Sequence, residues 1–206
     1  MGPEFAAIWI AWLLAGGSPG PATMGIAGTA MSAGRASALA FSFGILAGSA
    51  SWGIAAALGL SALMLTHVWV FEIIRYVGAA YLAWLAIKAL RSAWAGNAAH
   101  AGTPFRGSAR TLFIKGAAIH ITNPKAILSW GSIYAIALPP GAGPAMVFQC
   151  FGLLYAGSIL IFVGYAFLFS NARVVAAYGR ARRWFDLAFA GFFGFASLKI
   201  LTARLQ

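Results

Sequence analysis

The sequence predicts an all-α membrane protein of six transmembrane helices, arranged as two inverted three-helix repeats, with helices one and four broken in mid-membrane. Three observations predict it. Apolar residues make up 62% of the 206 and charged residues 8%, too few for the charged shell of a soluble domain. The apolar residues fall into six runs of about 20, the length that crosses a hydrocarbon core. The first and fourth runs carry helix breakers about 104 residues apart, near half the chain length.

The first helix is expected from about Phe5 to Met31, with Ser18-Pro19-Gly20-Pro21-Ala22 at its middle. Before Arg35 the chain has neither Lys nor Arg, so the basic region of a secretory signal is missing and Phe5 onward reads as a retained helix. The second is expected from about Ala36 to Leu65. It holds Gly44 and Gly48, a GxxxG spacing that serves close helix packing, within one chain or in a homo-oligomer. The third runs from about Trp69 to Leu90, and a polar connection, Arg91 to Arg110, follows. The fourth runs from about Thr111 to Leu138, with Thr122-Asn123-Pro124-Lys125-Ala126 inside it, and stops at Pro139-Pro140-Gly141. The fifth runs from about Ala145 to Ser170. Asn171 to Arg183 reads as a second basic connection, and the sixth helix runs from about Trp184 to Leu201, with Gly191 and Gly194 in it. Trp69 and Trp184 stand where interfacial aromatics belong.

The first and fourth runs are each about 27 residues, roughly 40 Å as continuous helix, more than the bilayer core needs. Ile87-Lys88-Ala89-Leu90 also rhymes with Leu198-Lys199-Ile200-Leu201. The chain thus reads as one transmembrane domain over 1–206, with one repeat at about 5–91, a cytoplasmic connection at about 91–110 and a second repeat at about 111–206. A repeat of three helices places its copy upside down, an arrangement of many secondary transporters. Alternate connections share a side. Arg35, Arg91, Arg106, Arg110, Arg173, Arg180, Arg182 and Arg183 lie on one side, Arg75 and Arg204 on the other. The rich side is expected in the cytoplasm, with both termini periplasmic.

Several function classes drop out. The net charge of +11 belongs to membrane topology, and no soluble face exists to bind nucleic acid. Cys150 is the only cysteine, so neither an intrachain disulfide nor a dithiol relay is available. The only acids are Glu4, Glu72 and Asp186, all expected near helix ends, with Asp186 in an interfacial ion pair with Arg182 or Arg183. A transporter of metal ions would want hard oxygen or imidazole ligands inside the membrane, and it remains the alternative to a small organic solute. Ser129, Ser132 and His120 would be needed for an intramembrane hydrolase, but the GxSxG elbow is missing. No catalytic residue, metal ligand or cofactor is expected.

The breaks carry the chemistry. Proline lacks an N–H and clashes four residues back, so Pro19 and Pro21 free the carbonyls of Ala15 and Gly17, and Pro124 frees that of His120. Gly20 adds backbone freedom. The half-helices that follow present amides and a partial positive charge. Acceptors for a cation and donors for an anion at one place suit a zwitterionic amino acid. Asn123 can cap the half-helix that begins at Pro124. Lys125 lies about 14 residues from either end of its helix, where an ammonium costs roughly 2.5–3.5 kcal/mol to insert, so it must face a cavity or have a partner. It either binds a substrate carboxylate or carries a proton. His120 is either a proton relay or a structural hydrogen-bonding residue. His67 and His100 fall in connections.

Ser18-Pro19-Gly20-Pro21-Ala22 paired with Asn123-Pro124-Lys125-Ala126 resembles the LysE/RhtB amino-acid exporter family of bacteria. So do Gly78-Ala79-Ala80-Tyr81-Leu82, the stretch Gly116 to Thr122, and Trp130 to Pro139. The likeness spans Ala11 to Leu201. It implies six helices in the bacterial inner membrane and export of amino acids or derivatives driven by protons. It also implies substrate or gating roles for Pro19, Pro21, Asn123, Pro124 and Lys125. Some members have an acidic residue near the first break and this chain has none, which favours small neutral substrates over basic ones. The expected partners are the small-molecule substrate, protons and the lipid bilayer.

Overall fold

The computed structural model of the chain describes residues 4–64, 68–95, 104–139 and 142–202. Among them are seven helices and no strand: α1 (Glu4–Gly17), α2 (Pro21–Met64), α3 (Val68–Trp94), α4 (Ala109–Ile121), α5 (Pro124–Ala137), α6 (Pro144–Leu168) and α7 (Ala172–Thr202).

Both expected breaks are present. Ser18–Gly20 separates α1 from α2, and Thr122–Asn123 separates α4 from α5. A third interruption lies inside α2, where Gly34 has φ 79° and ψ 177°. That conformation is open to glycine and closed to residues with a Cβ. It falls at the expected junction between the first two apolar runs, ahead of Arg35.

One boundary is corrected. The basic stretch Asn171–Arg183 is not a connection, because α7 runs unbroken from Ala172 to Thr202. Asn171 caps it, its Oδ1 accepting from the amide of Arg173 at 2.9 Å. The stretch holds no proline, and its Ala and Arg residues favour helix. Its charges mark the polar end of a helix rather than a loop, and Trp184 sits within the helix. The ends of the Arg91–Arg110 connection are helical as well, since α3 reaches Trp94 and α4 starts at Ala109. The readings on His67, His100 and Arg204, and those on the side chains of Glu4, Trp69, Glu72, Arg75 and Lys199, lie outside the described residues.

The helices pack around α2, which lies along α4 and α6, while α3 lies along α7 and α1 against α6. The α2–α4 crossing is glycine-made. A Cβ on Gly44 would fall 1.9 Å from the Phe113 carbonyl oxygen, and one on Gly116 would fall 2.2 Å from that of Phe41. The GxxxG of the second run therefore packs within the chain. Gly191, by contrast, faces open space.

Asp186 lies midway along α7 rather than near a helix end, buried and paired with Arg182 as expected. It accepts from Ser92 Oγ of α3 at 2.8 Å and lies 3.6 Å from Arg182 Nε, which satisfies its charge inside the helix pair. Among the described residues, large apolar side chains cover the outside, including Leu160 at 59% exposed and Phe43 at 53%. Such a surface suits hydrocarbon rather than water. Pro21–Gly59 and Pro144–Leu168 are long and apolar enough to cross a membrane.

Candidate functional site

The two breaks meet. Lys125, in the first turn of α5, reaches back 107 residues to the first break and donates from Nζ to the Ser18 carbonyl (3.0 Å) and to Ser18 Oγ (2.5 Å). The lysine thus has the partner its position demands, and the partner is neutral. The one described carboxylate, Asp186, belongs to Arg182 and Ser92.

Local chemistry sets each break. At the first, the Gly20 amide donates to Thr23 Oγ1 (3.0 Å), and that hydroxyl reaches the carbonyls of Ser18 (3.2 Å) and Gly20 (3.3 Å). The amides of Ala22 and Thr23 stand ahead of the first helical bond of this turn, which Met24 makes to Gly20 at 2.9 Å. At the second break, Asn123 is the expected N-cap. Its Oδ1 accepts from the Lys125 amide at 3.0 Å, and its carbonyl accepts from Ala126 and Ile127. Pro124 occupies the first helical position. The start of α5 is therefore satisfied from within, and the start of α2 is the more open of the two.

The three carbonyls freed by the prolines each hold an internal donor. Ser18 Oγ donates to Ala15 (2.9 Å), Tyr165 OH to Gly17 (2.5 Å), and the Asn123 amide to His120 (3.2 Å). Each oxygen retains a second lone pair.

A cavity of about 40 Å³ opens where the breaks meet, room for about three water molecules. It brings together Ala15, Gly20, His120, Asn123 and Lys125 from the expected set; Gly17, Pro19, Pro21 and Pro124 are not on its wall. The prolines shape the breaks without facing the space they make.

The rest of the wall is not legible in the sequence. Trp12 and Trp130 stand on it with ring centroids 4.5 Å apart. Trp12 Nε1 donates to Ser158 Oγ and Trp130 Nε1 to Ser49 Oγ, each at 3.1 Å. Thr23, Ser129 and Phe162 complete the polar and aromatic surface named here. Ser18 is visible in the sequence as part of the first break, but its service to Lys125 is a long-range contact that no local pattern announces. Tyr165 lies in an apolar run, and nothing in its spacing points to Gly17. Among the described residues no three of His, Cys, Asp and Glu gather as metal ligands would.

The family model described as "LysE type translocator" matches residues 14–204. A protein of Salmonella typhi named threonine efflux protein is 32% identical, over 90% of this chain and 91% of its own length. Its namesake in Escherichia coli (strain K12) is 31% identical over the same shares. A protein of Enterobacter sp. (strain 638) named leucine efflux protein is 36% identical over 56% of this chain and 54% of its own. No solved structure matches the chain.

Proposed function

The chain belongs to the LysE type translocator family, and from that premise we propose that it exports small neutral amino acids or their derivatives across the bacterial inner membrane, as a secondary transporter coupled to protons. Relatives named for threonine and leucine efflux support the substrate class. The observation that carries the site is the bond between the breaks: Lys125 of one held by Ser18 of the other, beside a cavity.

The substrate carboxylate binds at the N-terminal amides of α2, on Ala22 and Thr23, and at the Lys125 amine. Its ammonium takes the acceptors of Ser18 and the spare lone pairs of Ala15 and His120. Lys125 occupies the Ser18 acceptors, so a substrate ammonium and the Lys125 ammonium compete for the same oxygens. Loading from the cytoplasm drives a proton off Lys125, and unloading outside lets one return. That exchange moves a proton inward as a substrate leaves.

Six spans follow if α1 with the start of α2, and α4 with α5, each cross once. The pairing of α2 with α6 and of α3 with α7 supports two related halves, 5–91 and 111–206, that rock about the site.

The test is export from living bacteria. Cells loaded with mixed dipeptides raise their internal amino-acid pools, and mass spectrometry follows every amino acid in the medium. Wild type is compared with Lys125→Ala and empty vector. One or a few amino acids should appear faster with wild type alone. Coinciding profiles for wild type and empty vector would remove amino acids as substrates, and equal export by Lys125→Ala would remove Lys125 from the site.

A further inference from the structure

Aromatic rings stand between the cavity and the Gly34 bend of α2, and one of them does not belong to a helix. Phe162 lines the cavity, and Phe41 shares its buried cluster. Phe105, in the non-helical stretch ahead of α4, is partly buried against the outside of that cluster. Its ring stacks on Phe41 with centroids 4.9 Å apart. Its amide donates to Thr29 Oγ1 at 3.4 Å. Gly25 makes room for both rings, since a Cβ there would fall 2.9 Å from the Phe41 ring and 3.4 Å from Phe105 Cε2. Gly25 and Thr29 lie before the bend and Phe41 after it, so the Phe105 ring is wedged between the two arms of α2. On its outer side stands Lys115, exposed, with Nζ 5.9 Å from the ring centroid.

We propose that Phe105 is the gate on one side of the transport cavity: seated between the arms of α2 it seals the site, and withdrawn from them it opens the site to that side. The role in transport rests on the export reading above and deepens it; the seal itself rests on the contacts of the ring. Position sets the side. Gly25 and Thr29 lie about 7–14 Å of helix beyond Gly20 of the cavity wall. Gly44 faces Phe113 and Gly48 faces His120, so α4 starts at the end of the molecule where α2 bends. That end carries the exposed Arg35, Arg106 and Arg110. A zwitterion passing there would lose its water against apolar rings, which is what makes the closed state tight. Attachment sets the mobility. Phe41 and Phe162 are fixed within α2 and α6, and neither leaves without moving a helix. Phe105 is seated by the Thr29 bond and by ring contacts, and Gly107, with φ 148°, gives the chain a joint between Phe105 and α4 that residues with a Cβ disfavour. The arm it wedges begins with the amides of Ala22 and Thr23, so the gate and the carboxylate site share one piece of helix.

The experiment is labelling of a cysteine on the cavity wall. Ser129→Cys is made in the full chain with Cys150→Ala, and a membrane-impermeant maleimide is applied to inside-out and to right-side-out membrane vesicles. Arg110→Cys, made separately, identifies the face on which Phe105 lies. Phe105→Ala should raise the labelling rate of Ser129→Cys at least about tenfold from that face alone, because burial of the ring no longer favours the closed state. Phe105→Leu keeps an apolar plug and should stay within about threefold of the chain with Phe105. Thr29→Val keeps the shape of Thr29 without its hydroxyl and should raise labelling about threefold from the same face. If Phe105→Ala does not reach the membrane fraction, Thr29→Val decides. Unchanged labelling in both Phe105→Ala and Thr29→Val would overturn the gate, as would a rise of equal size from the two faces, which is general loosening. The export assay above tests the other reading separately. A rise confined to one face in a chain that exports no amino acid would keep Phe105 as the seal of the cavity and overturn the export reading.

Discussion

Lys125 and Ser18 are the pair on which the chemistry turns, and they differ in how replaceable they are. The Ser18 carbonyl is backbone and survives any substitution, whereas its hydroxyl does not. Ser18→Ala should therefore weaken the site without abolishing it. Losing one hydrogen bond to a charged group corresponds to roughly 1.5–3 kcal/mol, and export should slow by at least about tenfold at matched membrane abundance. Ser18→Thr keeps the hydroxyl and should recover most of the rate. An unchanged rate in Ser18→Ala would mean that Lys125 works from another partner during transport. Tyr165 acts on a different property. Its hydroxyl satisfies the Gly17 carbonyl at 2.5 Å, so Tyr165→Phe should lower stability by about 1–3 kcal/mol, read as an earlier thermal unfolding midpoint in detergent.

Glycines set how the helices join, and the sequence shows some of these positions better than others. Gly44 and Gly116 face carbonyl oxygens at a helix crossing. Gly44→Ala or Gly116→Ala must push α2 and α4 apart, at a cost of about 1–3 kcal/mol or more. Gly191→Ala meets nothing and should leave unfolding unchanged. Gly34→Ala meets no atom either, yet it must leave φ 79°, and it should cost about 1–3 kcal/mol through the backbone alone. Thermal unfolding of the four variants separates these cases, and equal midpoints would sink the argument. The breaks at Pro19-Gly20-Pro21 and Asn123-Pro124 were readable because proline and an Asn cap act on their own neighbours. The start of α7 is hidden because Arg173, Arg180, Arg182 and Arg183 resemble loop charges, yet the helix runs through them. In a chain bound for a membrane, arginines mark where the bilayer ends, which need not be where the helix ends.

At the scale of the molecule, the cavity wall was the part hidden from the sequence. Trp12 with Ser158, and Trp130 with Ser49, are contacts between residues far apart in the chain, and each looks like ordinary apolar filling in its own helix. What the sequence does carry over long range is charge. The arginines of α7 cluster in its first turns, and Arg106 and Arg110 lie at the start of α4. If the chain crosses six times, these ends lie on one side with Arg35, and that side is the cytoplasm by the excess of positive charge. The first half then begins outside, and the second, inverted, ends outside. A reporter fused after Gln206 should accordingly fold and label outside the cytoplasm, and one inserted at about residue 100 should do so inside. Accessibility to a membrane-impermeant thiol reagent, with Cys150 replaced by Ala and single cysteines placed at the same two sites, reads the same question without a fusion. Both sites on one side would mean an even number of crossings between them. The halves would then be parallel rather than inverted, and the rocking exchange proposed for Lys125 would lose its symmetry.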